Sequence, residues 1–313
     1  MELCLMTDSL GCLSFIEMVG KAASLGFESL ELATGNWSQA PHLDLDKLLS
    51  SESLRRAYLK VIENADLHIS ALNCSGNPLA PGEKGKEHDT VVQKTFKLAE
   101  MFGVEKIVMM SGLPGGSPQD VTPNWIVTSW PPENAEILAW QWNERVIPYW
   151  QKLSKEAESF GIKKIALENH GCQCVYNVET LKRLRSEIGD IVGMNIDPSH
   201  MFWMGGDPLA MARSLEGMIY HVHAKDVRIE KGIVGSQGLL DTKTIDKYAS
   251  RSWNYVSLGY GHDSKWWKEF FSILSMCGYD GPVSLEMEDM NMNQIVGTEK
   301  SVEVLKAAML RSF

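Results

Sequence analysis

Four apolar runs in this 313-residue chain end in side chains that suit one hard metal ion. They are Ile165-Ala166-Leu167-Glu168-Asn169-His170, Met194-Asn195-Ile196-Asp197, His221-Val222-His223-Ala224-Lys225-Asp226 and Val283-Ser284-Leu285-Glu286-Met287-Glu288-Asp289. Strand periodicity puts Glu168 with His170, His221 with His223, and Glu286 with Glu288 on shared faces. Three carboxylates and one imidazole make a ligand set of oxygen plus a single nitrogen, which favours Mn²⁺, then Mg²⁺ or Co²⁺, over a thiolate-rich zinc site. Water or substrate oxygens would complete the shell and leave positions open for catalysis. Any one such carboxylate taken alone is more often a hydrogen-bonded or salt-bridged rim residue than a ligand; four coincident strand ends weaken that reading.

Residues more than a hundred positions apart meet at one ion only if something aligns the ends of their strands. Strand-like and helix-like runs alternate along the chain. The predicted strands are Leu3–Thr7, Ser29–Ala33, His68–Asn73, Lys106–Ser111, Lys164–Glu168, Val192–Asp197, Met218–His223 and Pro282–Glu286. Helical patterns lie near 13–25, 53–65, 87–103, 133–160, 178–188, 207–214, 264–277 and 298–311, several closing on a glycine such as Gly26, Gly103, Gly161 or Gly278. Eight such pairs predict an α/β fold, a (β/α)8 TIM barrel, as a single domain over residues 1–313. In that architecture the C-terminal strand ends share one rim.

Two connections exceed ordinary turns. One follows the fourth strand, from Gly112 to Pro132, and the other follows the seventh, from Val227 to Asp263. Both are rich in Trp, Tyr, Gly and Asn, which suits stacking on sugar rings and hydrogen bonding to hydroxyls, or burial against a second subunit. Homo-oligomerisation is expected on that ground.

The formal net charge of −10 argues against a nucleic-acid backbone as partner. No apolar run reaches the roughly 18 residues of a membrane span, and the N-terminus lacks the basic and apolar regions of a signal peptide. Cys4, Cys12, Cys74, Cys172, Cys174 and Cys277 form no disulfide framework, so a reduced, cytoplasmic protein is expected. Cys172 and Cys174 make only a weak soft-metal pattern.

The segments LENH, NIDPSHMFW, HVHAKD and SLEMED, in this order, resemble the sugar phosphate isomerase/epimerase family with its xylose isomerase-like barrel. The likeness extends over most of the chain and takes in PNW and SWPP after the fourth strand and RSWNYVSLGYGHD after the seventh. It implies that Glu168, Asp197, His223 and Glu286 hold the metal, that His200 faces substrate oxygens, and that Glu168 and Glu286 flank the substrate as acid/base residues. Ketose 3-epimerases of this kind carry a Glu six residues after the first ligand, where this chain has Cys174. They also carry an Arg six residues after the ligand histidine, where it has Ile229 beside Arg228. The Glu168-x-His170 pattern and the two long loops resemble a branch that includes the catalytic subunits of C-glycoside deglycosidases, which act on 3-oxo-glycosides alongside a small β-rich partner subunit.

The shared chemistry is removal of a proton next to a carbonyl, through a metal-stabilised enediolate. Return of the proton gives an isomerase or epimerase, and loss of a β-substituent gives a lyase. His170 is the candidate base, an imidazole on the same face as Glu168; the other reading is a rim histidine bonded to the 171–177 loop. His221 reads as a packed interior residue. His262 either reaches the site or caps the next helix. Asp226 either orients a ligand or Arg228, or forms a surface ion pair. Trp37, Trp125, Trp203 and Trp253 follow strand ends or lie in the rim loops; tryptophans are usually core, but here some of them are expected to wall a carbohydrate pocket. A non-catalytic sugar-binding subunit is the remaining reading.

Overall fold

The computed structural model of the chain describes residues 1–309. Its strands are β1 (Glu2–Met6), β2 (Ser29–Ala33), β3 (His68–Asn73), β4 (Lys106–Met109), β5 (Lys164–Glu168), β6 (Val192–Ile196), β7 (Ile219–Ala224), β8 (Asp226–Ile229), β9 (Trp253–Val256) and β10 (Pro282–Leu285). Eight of them close a parallel barrel in the order β1-β10-β7-β6-β5-β4-β3-β2, while β8 and β9 form a separate two-stranded sheet. Every predicted strand is present, with ends shifted by two residues at most. By internal contacts the chain groups into two compact units, Met1–Leu32 with Arg56–Ser70 and Asn195 onward, and Ala33–Arg55 with Ala71–Met194. Positions 310–313 of the expected single domain, which include the end of the predicted 298–311 helix, lie outside the described residues.

In the first unit, β1 lies between β10 and β2, with Leu5 opposite both Leu285 and Leu30, and β10 continues to β7 through Val283 opposite Val222. Leu3, Leu5, Leu30, Leu32, Val222 and Leu285 are all fully buried. Strands covered on both faces need such unbroken apolar runs, so any charge within them is an exception that demands a partner. The helix Phe15–Ser24 starts at Ser14, whose hydroxyl and the Glu17 carboxylate form a capping box, and it buries Met18, Val19 and Ala22.

The second unit carries the ladder β3–β4–β5, with Leu72 opposite Ile107 and Met109 opposite Leu167. Its long helix Glu83–Phe102 ends at Gly103, whose φ of 68° is the left-handed turn that a glycine allows without strain. The helix predicted over 133–160 is interrupted by a π-helical turn, Gln141–Val146, between Glu133–Trp140 and Ile147–Ser159. There the side-chain amide of Gln141 donates to the carbonyls of Gly115 (3.0 Å) and Asn124 (2.6 Å). The π-helical turn thereby anchors the long loop after β4 from beneath.

The long connection after β7 is organised by the β8–β9 ribbon, in which Asp226 pairs with Val256 and Ile229 with Trp253. Asp226 itself is fully committed to this loop. One of its oxygens accepts the backbone N–H groups of Gly259 (3.1 Å), Gly261 (3.1 Å) and His262 (3.0 Å), and the other accepts from Val227 N–H and the His262 ring. Gly261 is required here, because a Cβ would stand 2.3 Å from the Val227 carbonyl oxygen. Asp226 therefore neither orients Arg228, which binds Glu230 instead, nor forms a surface ion pair. Replacing Asp226 with Ala takes the shared acceptor from three part-buried N–H donors and is expected to cost about 1–3 kcal/mol of stability, with faster amide exchange at 259–262. A loss under about 1 kcal/mol in denaturant unfolding would reject that account.

No helix of the described residues is long and apolar enough to cross a membrane.

Candidate metal centre

Each strand end is held before it presents a side chain. At β10, the Ser9 hydroxyl donates to the Leu285 carbonyl (3.1 Å) and accepts from Met287 N–H (2.9 Å), while Glu286 N–H donates to Ala224 O at the end of β7 (3.2 Å). At β6, Asp197 caps the short helix Pro198–Trp203, its Oδ1 accepting from Ser199 N–H at 2.8 Å. Its Oδ2 is turned to His200 Nε2 (3.2 Å) and Lys225 Nζ (3.8 Å). Burial pushes the Asp197 carboxyl up, but His200, Lys225 and His223 outweigh it and hold the group well below the usual carboxylate range.

His223, fully buried on β7, addresses two carboxylates. Its Nδ1 lies 3.0 Å from Glu286 Oε2, and its Nε2 lies 3.1 and 3.2 Å from the two oxygens of Glu31. Burial disfavours the imidazolium, yet Glu31 and Glu286 together raise the ring well above an ordinary histidine. Glu286 is pushed up, first by desolvation and then by Glu288. Lys225 stands beside them, its Nζ 2.6 Å from Glu288 Oε2, 3.4 Å from Glu286 Oε2 and 4.5 Å above the Tyr255 ring. Against burial, these carboxylates keep the ammonium well above its ordinary value.

Glu168, Asp197, His223 and Glu286 form one group in which each offers a ligand atom, all within 4.8 Å of one another. The set fits a divalent cation on its own chemistry. Three carboxylates are gathered largely out of water, with the Lys225 ammonium near two of them. Concentrated buried negative charge of this kind is costly until a cation neutralises it. Among the described residues a second group, Glu31, His221 and His223, meets the same spacing, and no group includes a cysteine. Cys172 is exposed, whereas Cys174 is buried with its thiol pushed up to about 12, which makes it no substitute for a carboxylate at neutral pH.

The remaining predicted residues divide clearly. His200 is buried and receives the Trp203 indole N–H on Nδ1 (3.1 Å), with the Tyr255 hydroxyl 3.2 Å from the same atom. An imidazole nitrogen that accepts carries no proton, so Nε2–H is the donor to Asp197. Trp203 and Trp253 stack on each other with ring centroids 5.1 Å apart and are nearly buried, so they brace the site rather than stand open beside it. Trp253 also borders an open cleft of about 630 Å³ that is lined by Arg228, Tyr255 and Glu288. In the second unit, Trp125 borders a cleft of about 670 Å³ with Gln173 and Cys174. His170 is half-buried, its Nδ1 donating to the Gly171 carbonyl and its ring centroid 6.3 Å from that of Trp37. His262 does not cap the next helix, since Asp263 caps Ser264–Met276; it bonds Asp226 and stacks on Phe202.

Sequence reasoning missed three participants, Glu31, Lys225 and Tyr255. Glu31 left a signal, as the only charge in the strand Ser29–Ala33.

A parallel barrel that gathers three carboxylates and a histidine at its strand ends defines a TIM barrel with a candidate metal centre. The chain belongs to the xylose isomerase-like TIM barrel family, whose family model matches residues 19–308. It is 54% identical over 308 residues, 98% of each chain, to a Bacillus subtilis (strain 168) protein described as uncharacterized protein YfiH. Among solved structures it is similar to a D-tagatose 3-epimerase-like protein (20% identity, 98% of each chain, TM-score 0.65). It is also similar to the IOLI protein, solved with a binding zinc atom (19% identity, 98% of each chain, TM-score 0.67). At these identities the two structures establish the fold alone.

Proposed function

We propose that this chain is a divalent-metal-dependent enzyme that removes a proton next to the carbonyl of a sugar or oxo-sugar, of isomerase or epimerase type. The observation that carries this reading is the quartet Glu168, Asp197, His223 and Glu286. These four residues hold the ion, Mn²⁺ first and Mg²⁺ or Co²⁺ next, in keeping with oxygen-rich ligation. When bound, such an ion polarises the substrate carbonyl and stabilises developing negative charge by several kcal/mol. The similarity to an epimerase-like protein and to a zinc-carrying one supports the same reading.

The chain's own residues supply the rest. His170 is the base: with Nδ1–H given to the Gly171 carbonyl, the neutral ring keeps its lone pair on Nε2. Glu168 and Glu286 flank the reacting carbon as the other carboxylates able to exchange a proton. Lys225 balances the charge of Glu286 and Glu288. His200, locked by Trp203 and Tyr255, keeps Asp197 aimed.

The step after proton removal fixes the reaction class. If the proton returns, the sugar is isomerised or epimerised. If a β-substituent leaves, the enzyme is a lyase on 3-oxo-glycosides. Incubating the Mn²⁺-loaded protein in D₂O with a panel of ketoses and 3-oxo-glycosides should place deuterium at carbon in an intact sugar. Release of an aglycone instead selects the lyase, and neither outcome with ion bound rejects both.

A further inference from the structure

Glu31 is the one charge in an apolar strand and is fully buried, out of contact with bulk solvent. Two imidazoles face its carboxylate. His221 Nε2 lies 2.7 Å from Glu31 Oε2, and His223 Nε2 lies 3.1 Å from Oε1 and 3.2 Å from Oε2. The two rings stand at 82° to one another, so they approach the one carboxylate from different directions. We propose that Glu31 is a positioning residue that selects Nδ1 of His223 as the metal-binding nitrogen. This inference rests on the metal-centre reading.

The argument is one of donors and acceptors. An ionised carboxylate only accepts, so each Nε2 facing it carries a hydrogen. In neutral His223 the lone pair then resides on Nδ1. That is the atom 3.0 Å from Glu286 Oε2, on the quartet's side of the ring. A carboxylate behind a ligating histidine fixes both tautomer and ring orientation, and its removal typically weakens metal binding. His221 is the second donor that lets both Glu31 oxygens be satisfied out of contact with bulk solvent. It explains why a histidine lies at an interior position where an aliphatic side chain would otherwise pack.

The test measures Mn²⁺ affinity by competition with a chelating dye on the full chain, with far-UV circular dichroism of the metal-free protein as the folding control. Glu31→Gln keeps the shape but places an amide N–H₂ against one of the two donors. It is expected to weaken Mn²⁺ binding by about 10–100-fold at one site per chain. An affinity within about threefold of wild type overturns the inference. So does binding of two ions per wild-type chain with one lost in the variant, which would make Glu31, His221 and His223 a second metal site. A measurement on the wild type covers a variant that fails to fold. Loaded with ¹¹³Cd²⁺, the protein should show metal coupling to His223 Nδ1 in long-range ¹H–¹⁵N spectra, and coupling to Nε2 overturns the inference. A wild type that binds no ion removes the metal-centre reading itself, whereas normal wild-type binding with an indifferent variant removes only the role of Glu31.

Discussion

Asp197→Asn is expected to lower turnover on the order of 10³-fold and to abolish the thermal stabilisation that Mn²⁺ gives the wild type. The substitution is informative because it leaves local structure in place. Asn caps helices about as well as Asp, so its side-chain oxygen can still accept from Ser199 N–H and hold Pro198–Trp203. What disappears is one buried negative charge that His200, Lys225 and His223 keep ionised. A ligand charge lost from a three-carboxylate set removes much of the ion's several-kcal/mol contribution, and about 4 kcal/mol corresponds to roughly a thousandfold in rate. The metal-free variant should remain folded at a cost of about 1–3 kcal/mol, because His200 Nε2–H then faces an amide. The wild type should gain about 2.7 kcal/mol at an Mn²⁺ concentration a hundred times its Kd, and the variant should gain nothing measurable at that concentration. An unchanged Mn²⁺ response, with turnover within tenfold, would remove Asp197 from the site.

The barrel was legible because its signals are local. An apolar run of five or six residues and a following helical period recur eight times, several closing on a glycine, and each needs only its own neighbourhood to be read. The quartet was legible for a related reason. Strands of a parallel barrel turn polar where they leave the core, so LENH, NIDP and SLEMED announce themselves one by one. Glu31 lacks that advantage. It lies inside its strand, and its two partners are 190 and 192 positions away in sequence. It could have been found by treating two anomalies together, a lone charge in SLELA and an interior histidine at 221 with no role, since a buried charge requires a buried counterpart. The β8–β9 ribbon escaped for want of a turn signal: its strands are four residues each and separated by the whole of 230–252. The loop that follows this ribbon also brings Asp226 and His262 together as partners. Trp203 and Trp253 follow the same logic, since residue type alone does not separate a tryptophan stacked on its neighbour from one that faces a ligand.

Lys225→Met is the second large effect, and it separates a surface ion pair from a structural counter-charge of the centre. The sequence places Lys225 two residues after the ligand His223, where a solvated lysine is the ordinary expectation. In the fold it is 4% exposed, 2.6 Å from Glu288, 3.4 Å from Glu286 and 3.8 Å from Asp197. Methionine keeps most of the apolar stem while deleting the ammonium that lies 4.5 Å over the Tyr255 ring. Removing one partner from a buried cluster leaves the others uncompensated, at about 3–5 kcal/mol for the metal-free protein. The pH dependence has a definite sign. Carboxylates raise the folded-state value of Lys225, so its contribution is fully present at neutral pH and is lost only as pH climbs through that raised value. Glu286 is already raised by burial, and without Lys225 it takes up a proton more readily, so the deficit should narrow as pH falls from 7 towards 5. A divalent ion supplies the missing positive charge and no longer meets the repulsion of an ammonium. Mn²⁺ should therefore stabilise the Met variant more than it stabilises the wild type. A loss below about 1 kcal/mol in denaturant unfolding, with equal Mn²⁺ responses, would remove Lys225 as a counter-charge of the centre. The opposite result would show that the fold holds its own cation at the place where the ion is needed.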